Sequence, residues 1–547
     1  MPVSEAAGEI AVSAAKAVPM CFRKMGGLAL RRENANAAEF FVDRHVETQA
    51  ADKNAFVEGV DQGRALTYRQ LAAQAGRMAS LFERHGLTRE DRAAMIVLDT
   101  IEFPVIFWGS LKAGIVPAPL NTLLSADLYA FILRDSRAKA LFVSKALLPV
   151  VEPVLKDMPF LKAVFVIGGD GSEGYLDFAA ELDASASSPD TLEVCGDETA
   201  FWLYSSGSTG APKGVRHVHS SLRATYETYG VQVLGIRPDD VVFSAAKLFF
   251  AYGLGNGMTF PMGAGATAVL YPGRPVPADL FAVTERVQPT IFYGVPTLYA
   301  SMVQAMRDGP PAGLQRLRQC VSAGEALPQE VGKRWQAITG VDILDGVGST
   351  EMLHIFLSNA PGSVAYGTSG FAVPGYELRL VDEAGADVPV GGVGELLVKG
   401  PSAADGYWNQ REKSRSTFEG HWTRTGDKYE RRDDGRLVYC GRTDDMFKVS
   451  GIWVAPFEIE QALITHPAVL EAAVIAQKDE TGLDKPKAFV VVKDKPAPAD
   501  LNEVLKEHVK EKVGKWKYPR WIEIVDELPK TATGKIQRFK LRQQEVA

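Results

Sequence analysis

The sequence predicts an α/β protein: a large N-terminal domain of several subdomains, with parallel sheets covered by helices plus a small β subdomain, followed by a small α+β C-terminal domain. Three observations carry this. A chain of 547 residues can bury several cores, about three or four folding units at roughly 150 residues each. Short apolar runs alternate with stretches of helical periodicity, and strands separated by helices pair in parallel with both faces covered. After about residue 365 the texture changes to glycine-punctuated β segments, ELRLV at 377–381 and GELLVKG at 394–400.

Each element has its own reason. Residues 1–35 are alanine-rich without clear periodicity, which predicts a loosely held arm. Thr67 to Gln70 reads as a capping box, and Leu71, Ala75, Met78 and Leu81 follow at helical spacing up to Gly86. A strand is predicted at 95–98, a helix at 103–113, and an extended run at 116–120, where two prolines forbid helix. Strands at 141–143, 163–167, 266–270, 291–293, 319–322 and 343–344 continue the alternation, with helices at 279–286 and 328–338 between the later ones. The uncharged stretch 248–273 is long enough to span a bilayer. Its six glycines, two prolines and Asn256 predict instead a pocket-lining loop and strand. A polar segment at 442–451 precedes a helix (456–464), two strand-like runs, a long charged helix and a basic tail. The division is therefore arm 1–35, large domain 36–442 and small domain 443–547.

Apolar content of 46% and charged content of 23% describe an ordinary globular chain, and a net charge of -7 excludes a nucleic-acid binder. From Leu501 onward 11 Lys and Arg face 7 Asp and Glu, a local +4 that suits a polyphosphate ligand at that end. Cys21, Cys195, Cys320 and Cys440 form no CxxC pair, which argues against a disulfide framework or zinc site and for a reducing cytoplasm. The first residues lack the basic start and apolar core of a signal peptide.

The stretch from Tyr204 to Val215, YSSGSTGAPKGV, offers the hydroxyls of Ser206, Ser208 and Thr209, three glycines and the cation Lys213. Glycines let backbone N–H groups close around an anion, hydroxyls add donors, and lysine adds charge, which is a chemistry for phosphate. It is not a Walker loop, because the Gly-Lys-Ser/Thr tripeptide is missing and Pro212 holds Ala211 out of helical geometry. A flexible Ser/Gly connector has the same composition. Four further segments decide between the two: DGVGSTE at 345–351, TRTGD ending at Asp427, GRTDDMFKVSGIWVAPFEIE at 441–460, and PKTATGK at 529–535.

In their joint order and spacing these five segments resemble the adenylate-forming superfamily, which includes acyl- and aryl-coenzyme A synthetases, luciferase and adenylation domains. The resemblance implies that ATP converts a carboxylate into an acyl-adenylate with release of pyrophosphate, and that the thiol of coenzyme A then displaces AMP. It implies that Ser206, Ser208, Thr209 and Lys213 hold the leaving phosphates, that Thr350 donates to the α-phosphate, and that Glu351 binds Mg²⁺. It places Gly324, Glu325, Ala326 and Asp345 around the adenine, with Asp427 on the ribose hydroxyls and Arg442 on ribose or phosphate. Lys535 becomes the catalytic lysine of the first step, set between the substrate carboxylate and the α-phosphate. A mobile C-terminal domain then swings about a hinge matching Asp444 to present Lys448 and Gly451, the glycine leaving room for pantetheine. Trp453 stands where some acyl-coenzyme A synthetases have an arginine, so that arginine's phosphate contacts are not carried over. Without the family context Glu351 reads as a surface acid, Thr350 as a helix cap, Asp427 as a turn residue and Lys535 as a solvated tail lysine.

The acid is expected between Phe250, Ala251 and Tyr252 on one wall and Ala323, Val347, Gly348 and His354 on the other. Aromatic residues with small ones between them make a flat slot for a ring, and the absence of Arg and Lys there disfavours a second carboxylate. The pattern FFAYGLGNGMTFPM, GSTEMLHIFLSN and GIWVAPFEIE resembles the benzoate–coenzyme A ligases, which implies benzoate as the acid. A substituted benzoate or other aryl acid, with His354 bonding a ring substituent, is one alternative; His354 as a satisfied core histidine is another. A loader that passes the acyl group to a carrier protein is a third. PKTATGK also resembles sites at which such ligases are switched off by acetylation, which at Lys535 would delete that lysine's charge; a homodimer is open, since the sequence does not reveal the oligomeric state.

Overall fold

In the computed structural model the described residues are 34–544, apart from 172–173, 188–189, 207–211, 307–308, 444, 450–451, 481, 494–495, 515–516 and 531–535. The apolar runs form a nine-stranded sheet in the order Phe371–Ala372, Ile355–Ser358, Ile343–Gly348, Gln319–Ser322, Ile291–Gly294, Val241–Ser244, Thr267–Leu270, Asn54–Glu58, Ala65–Thr67. The six strands from Ile343–Gly348 to Asn54–Glu58 run parallel, and antiparallel strands close both edges. A five-stranded parallel sheet has Val116–Pro119 at one edge, where its two prolines are tolerated. Thr67 caps the helix Tyr68–Arg84 with the expected capping box, and Leu71, Ala75, Met78 and Leu81 are buried on the face towards the helix Glu102–Lys112. At about 1.5–3 kcal/mol for each large apolar side chain fully removed from water, this helix pair fixes the first sheet's cover.

An antiparallel sheet of five strands follows, with Val393–Lys399 and Trp422–Arg431 at its centre and Glu377–Val381 at one edge. The smaller C-terminal domain packs the helices Pro456–Ile464 and Leu501–Val513 on the sheet Val469–Lys478, Asp484–Val492, Trp521–Ile524 around Val454, Ile459, Leu463, Val474, Val490 and Leu505. Its last helix, Arg538–Gln544, is tied back by Arg538 on Glu460 (2.7 Å) and Arg542 on Asp445 (2.9 Å).

Three expectations need correction. The run 248–273 is mostly helical, with a helix Ala251–Leu254, a π turn Gly255–Thr259, a helix Phe260–Ala264 and then the strand Thr267–Leu270. Its glycines serve close packing: a side chain at Gly255 would strike His354, and one at Gly263 would strike Tyr226. Among the described residues no helix is long and apolar enough to cross a membrane. The strand predicted at 343–344 extends to Gly348, because Ile355–Ser358, absent from the sequence reading, pairs with its polar end. The end of the expected loose arm is held, since Ala35 N–H donates to Val194 O and Asn34 reaches Leu192 O; residues 1–33 lie outside the described residues.

Candidate active site

Register brings the site together. Ser244 pairs with Tyr293, Gly294 with Ser322, and Ser322 with Asp345, so the carboxyl ends of four neighbouring parallel strands form one row. Ligands of open α/β sheets bind outside such ends. Gly324, Glu325 and Ala326 follow Ala323 in the loop after the strand that ends at Ser322. Asp345 is buried, and its Oδ1 has no hydrogen-bond partner among the described residues. Burial raises its pKa well above the usual carboxylate range, opposed only by a bond from the Leu327 N–H. A buried acceptor without a donor fits the exocyclic amine of a purine.

The stretch Tyr204 to Val215 is a β-hairpin of Thr199–Ser206 and Pro212–Val218, closed at the pair Ser206 and Pro212. Gly207, Ser208 and Thr209 lie outside the described residues, as does the side chain of Ser206. Lys213, on the second strand, donates from Nζ to Glu351 Oε1 at 2.9 Å and to Tyr407 Oη at 2.8 Å. The Tyr407 phenol donates to the same Oε1 at 2.9 Å. Side-chain exposure of Lys213 and Glu351 is 12% and 16%, so Glu351 is no surface acid. Burial pushes its pKa up, but Lys213 beside it and the hydrogen bonds from Lys213 and Tyr407 outweigh burial and hold the carboxyl below its usual value. Thr350 is fixed through its backbone, its carbonyl accepting from His217 Nε2 at 2.8 Å. Burial lowers the His217 pKa to about 4, so the ring is neutral and carries its proton on Nε2.

Asp427 and Arg442 face each other across adjacent strands, with Arg442 Nη1 on Asp427 Oδ1 at 2.9 Å. Gly426 sits at φ 71°, and a side chain there would crowd the guanidinium. The buried Tyr429 feels both the Asp427 and Asp345 carboxylates, which relates the ribose candidate to the adenine candidate.

Part of the two expected pocket walls, Tyr252 with Ala323 and Val347, shares one cluster. Tyr252 Oη donates to Gly294 O (3.2 Å) and Val321 O (3.1 Å), and Tyr252 packs with Ala323 and Val347. His354 lies among Tyr229, Tyr252 and Phe260, 4.5 Å from the last ring centroid. Its Nε2 faces Asn256 Oδ1 at 3.0 Å and Tyr252 O at 3.3 Å. Both are acceptors, so the proton sits on Nε2 and Nδ1 keeps a lone pair with no partner among the described residues. Burial lowers the ring's pKa to about 3. Ala251 packs on the neighbouring core and Phe250 is half-buried against Phe249, while Gly348 is exposed beside the His354 backbone. Sequence reasoning missed Tyr407, His217 and Asn256, whose partners lie 56, 133 and 98 residues away in the chain. Lys535, Asp444 and Gly451 lie outside the described residues, as does the side chain of Lys448.

The family profile for AMP-binding enzymes matches residues 42–408, and that for the AMP-binding enzyme C-terminal domain matches 458–535. The chain belongs to the AMP-binding enzyme family. It is 54% identical to a benzoate–CoA ligase of Thauera aromatica over 93% of this chain and 96% of that one. It is 53% identical to a 4-hydroxybenzoate–CoA/benzoate–CoA ligase of Rhodopseudomonas palustris, over 93% and 94%. Among solved structures it superposes on a benzoate CoA ligase from Burkholderia xenovorans LB400 with a TM-score of 0.86 at 49% identity, covering 93% of this chain and 100% of that one.

Proposed function

We propose that the chain is a benzoate–coenzyme A ligase, an AMP-forming acid–thiol ligase that uses ATP, Mg²⁺ and coenzyme A. The observation that carries this is the 53–54% identity to two ligases named for benzoate, sustained over 94–96% of their lengths. In the first step a benzoate oxygen attacks the α-phosphorus of ATP, the bond to the β-phosphate breaks, and pyrophosphate leaves with the electron pair. In the second the thiolate of coenzyme A attacks the acyl carbon, the bond to the phosphate oxygen breaks, AMP leaves, and the thiol proton passes to solvent.

The residues divide the work. Lys213 exchanges Glu351 for the leaving phosphates, and Glu351 is the carboxylate that would hold Mg²⁺, an ion that takes one or two protein carboxylates. That ion, when bound, neutralises charge on the β- and γ-phosphates. Asp345 takes the adenine amine on its unpartnered Oδ1, and Asp427 with Arg442 holds the ribose. Tyr252, Ala323, Val347 and His354 enclose the ring. Lys535 serves the first step, and 448–451 the second, as domain 443–547 turns about Asp444; acetylation of Lys535 stops the first step.

A specific observation favours 4-hydroxybenzoate as a second acid, because the His354 Nδ1 lone pair can accept from a ring hydroxyl. The test is ATP–pyrophosphate exchange across benzoate, hydroxybenzoates and aliphatic acids, repeated with coenzyme A. Exchange with aryl acids followed by thioester formation is expected. Exchange confined to aliphatic acids, or no thioester with free coenzyme A, overturns the reading.

A further inference from the structure

Lys213 and Glu351 do not stand as an isolated pair. The strand Gly406–Tyr407 runs antiparallel to Pro212–Val218, with Tyr407 opposite Val215. This sets the Tyr407 ring 4.1 Å beneath the Lys213 ammonium and its hydroxyl 2.9 Å from Glu351 Oε1. The neighbouring chain fastens the carboxylate's own backbone, since Ala404 N–H donates to Glu351 O at 2.8 Å. Tyr407 is buried, and besides accepting from Lys213 Nζ at 2.8 Å and donating to Glu351 its hydroxyl meets only Thr417 Oγ1 at 3.4 Å among the bonds of the described residues. If Lys213 is to meet phosphate it must leave Glu351, and a buried carboxylate that loses its one cationic partner needs another donor to stay ionised and oriented.

Resting on the ligase reading above, we propose that Tyr407 is a positioning residue of the adenylation step. Its phenol parks Lys213 in the free enzyme and keeps hold of Glu351 Oε1 once Lys213 has moved to the leaving phosphates. The phenol is neutral, so it repels neither an approaching divalent cation nor the departing ammonium. Groups that orient a metal ligand from behind typically cost 10–100-fold in metal affinity or activity when removed.

The test is Tyr407→Phe, which keeps the ring under Lys213 and removes only the hydroxyl. Expected are a rise of about tenfold in the KM for magnesium ATP in pyrophosphate exchange, and a similar weakening of magnesium ATP binding by calorimetry. Thioester formation from supplied benzoyl-AMP and coenzyme A should run at the wild-type rate, which also reports the folded fraction. Thr417→Val, which removes the weaker contact alone, should bind magnesium ATP like wild type. Wild-type KM and affinity in Tyr407→Phe, equal loss in both half-reactions, or the same loss in Thr417→Val overturns the proposal. If the wild-type protein exchanges pyrophosphate with no acid, the ligase reading fails, and the calorimetric titration still decides the role of Tyr407.

Discussion

Asparagine at position 345 tests where the nucleotide base sits. Asp345 is buried at the carboxyl end of its strand, with the Leu327 N–H on one side of the carboxyl and nothing among the described residues on Oδ1. Its folded-state pKa lies above the unfolded value, so the unfolded chain gives up the proton first. The protein therefore loses stability as pH rises from about 4 towards the folded pKa. Asparagine removes that dependence. The free variant should gain on wild type as pH rises, by at most about 1.4 kcal/mol for each pH unit over which only the unfolded wild-type chain is ionised, so its relative stability should be greater at pH 8 than at pH 5. Nucleotide binding should move the other way. With the amide oxygen on the Leu327 N–H, the amide NH₂ faces the adenine amine, donor against donor. Loss of that hydrogen bond should weaken ATP by about tenfold. Scanning fluorimetry across pH and calorimetry with magnesium ATP read both effects. Purine riboside triphosphate, which lacks the amine, should bind wild type as weakly as ATP binds the variant, and the variant should not distinguish the two. A variant that prefers ATP over the purine analogue as strongly as wild type does refutes the placement.

Three more outcomes follow from the same contacts. Lys213→Met strands Glu351 in the interior and should cost about 3–5 kcal/mol in urea unfolding, most of it recovered in Lys213→Met/Glu351→Gln, while both variants lose pyrophosphate exchange; equal stability of single and double variants would show that the pair is uncoupled. If Ala251 lines the proposed acid pocket, Ala251→Phe should remove benzoate activity at a stability cost of no more than about 1–3 kcal/mol, checked by exchange rate and melting temperature. Lys535→Ala should abolish exchange yet leave thioester formation from supplied benzoyl-AMP intact, and equal loss in the two assays would deny the lysine its separate role.

Legibility in the sequence followed the range of the interaction. The capping box at Thr67 and the proline-bearing edge strand Val116–Pro119 were readable because their causes lie within a few residues. The strand Gln319–Ser322 and the helix Pro456–Ile464 were legible from their own apolar runs. The stretch 248–273 was misread because glycine has two uses, and composition cannot separate turn-making from close packing; only the place of His354 against Gly255 decides. Glu351 was identifiable through its motif, but its partners lie far from it in the chain, Lys213 138 residues before it and Tyr407 56 residues after it. The hydroxyl that completes this group is therefore a product of sheet pairing between 215 and 407, which no local pattern announces.

The free protein treats its charged and neutral site groups differently. The charged groups rest on one another: Lys213 on Glu351, Arg442 on Asp427. Several neutral groups stand without partners among the described residues: Ser205 Oγ at the hairpin, Ser322 Oγ and Tyr293 Oη in the strand row, His354 Nδ1 in the aromatic cluster. An unpaired buried charge costs far more than an unpaired neutral group, so only the neutral ones can wait for a ligand. Substrate binding must then do two things at once, filling the open bonds and drawing the ion pairs apart.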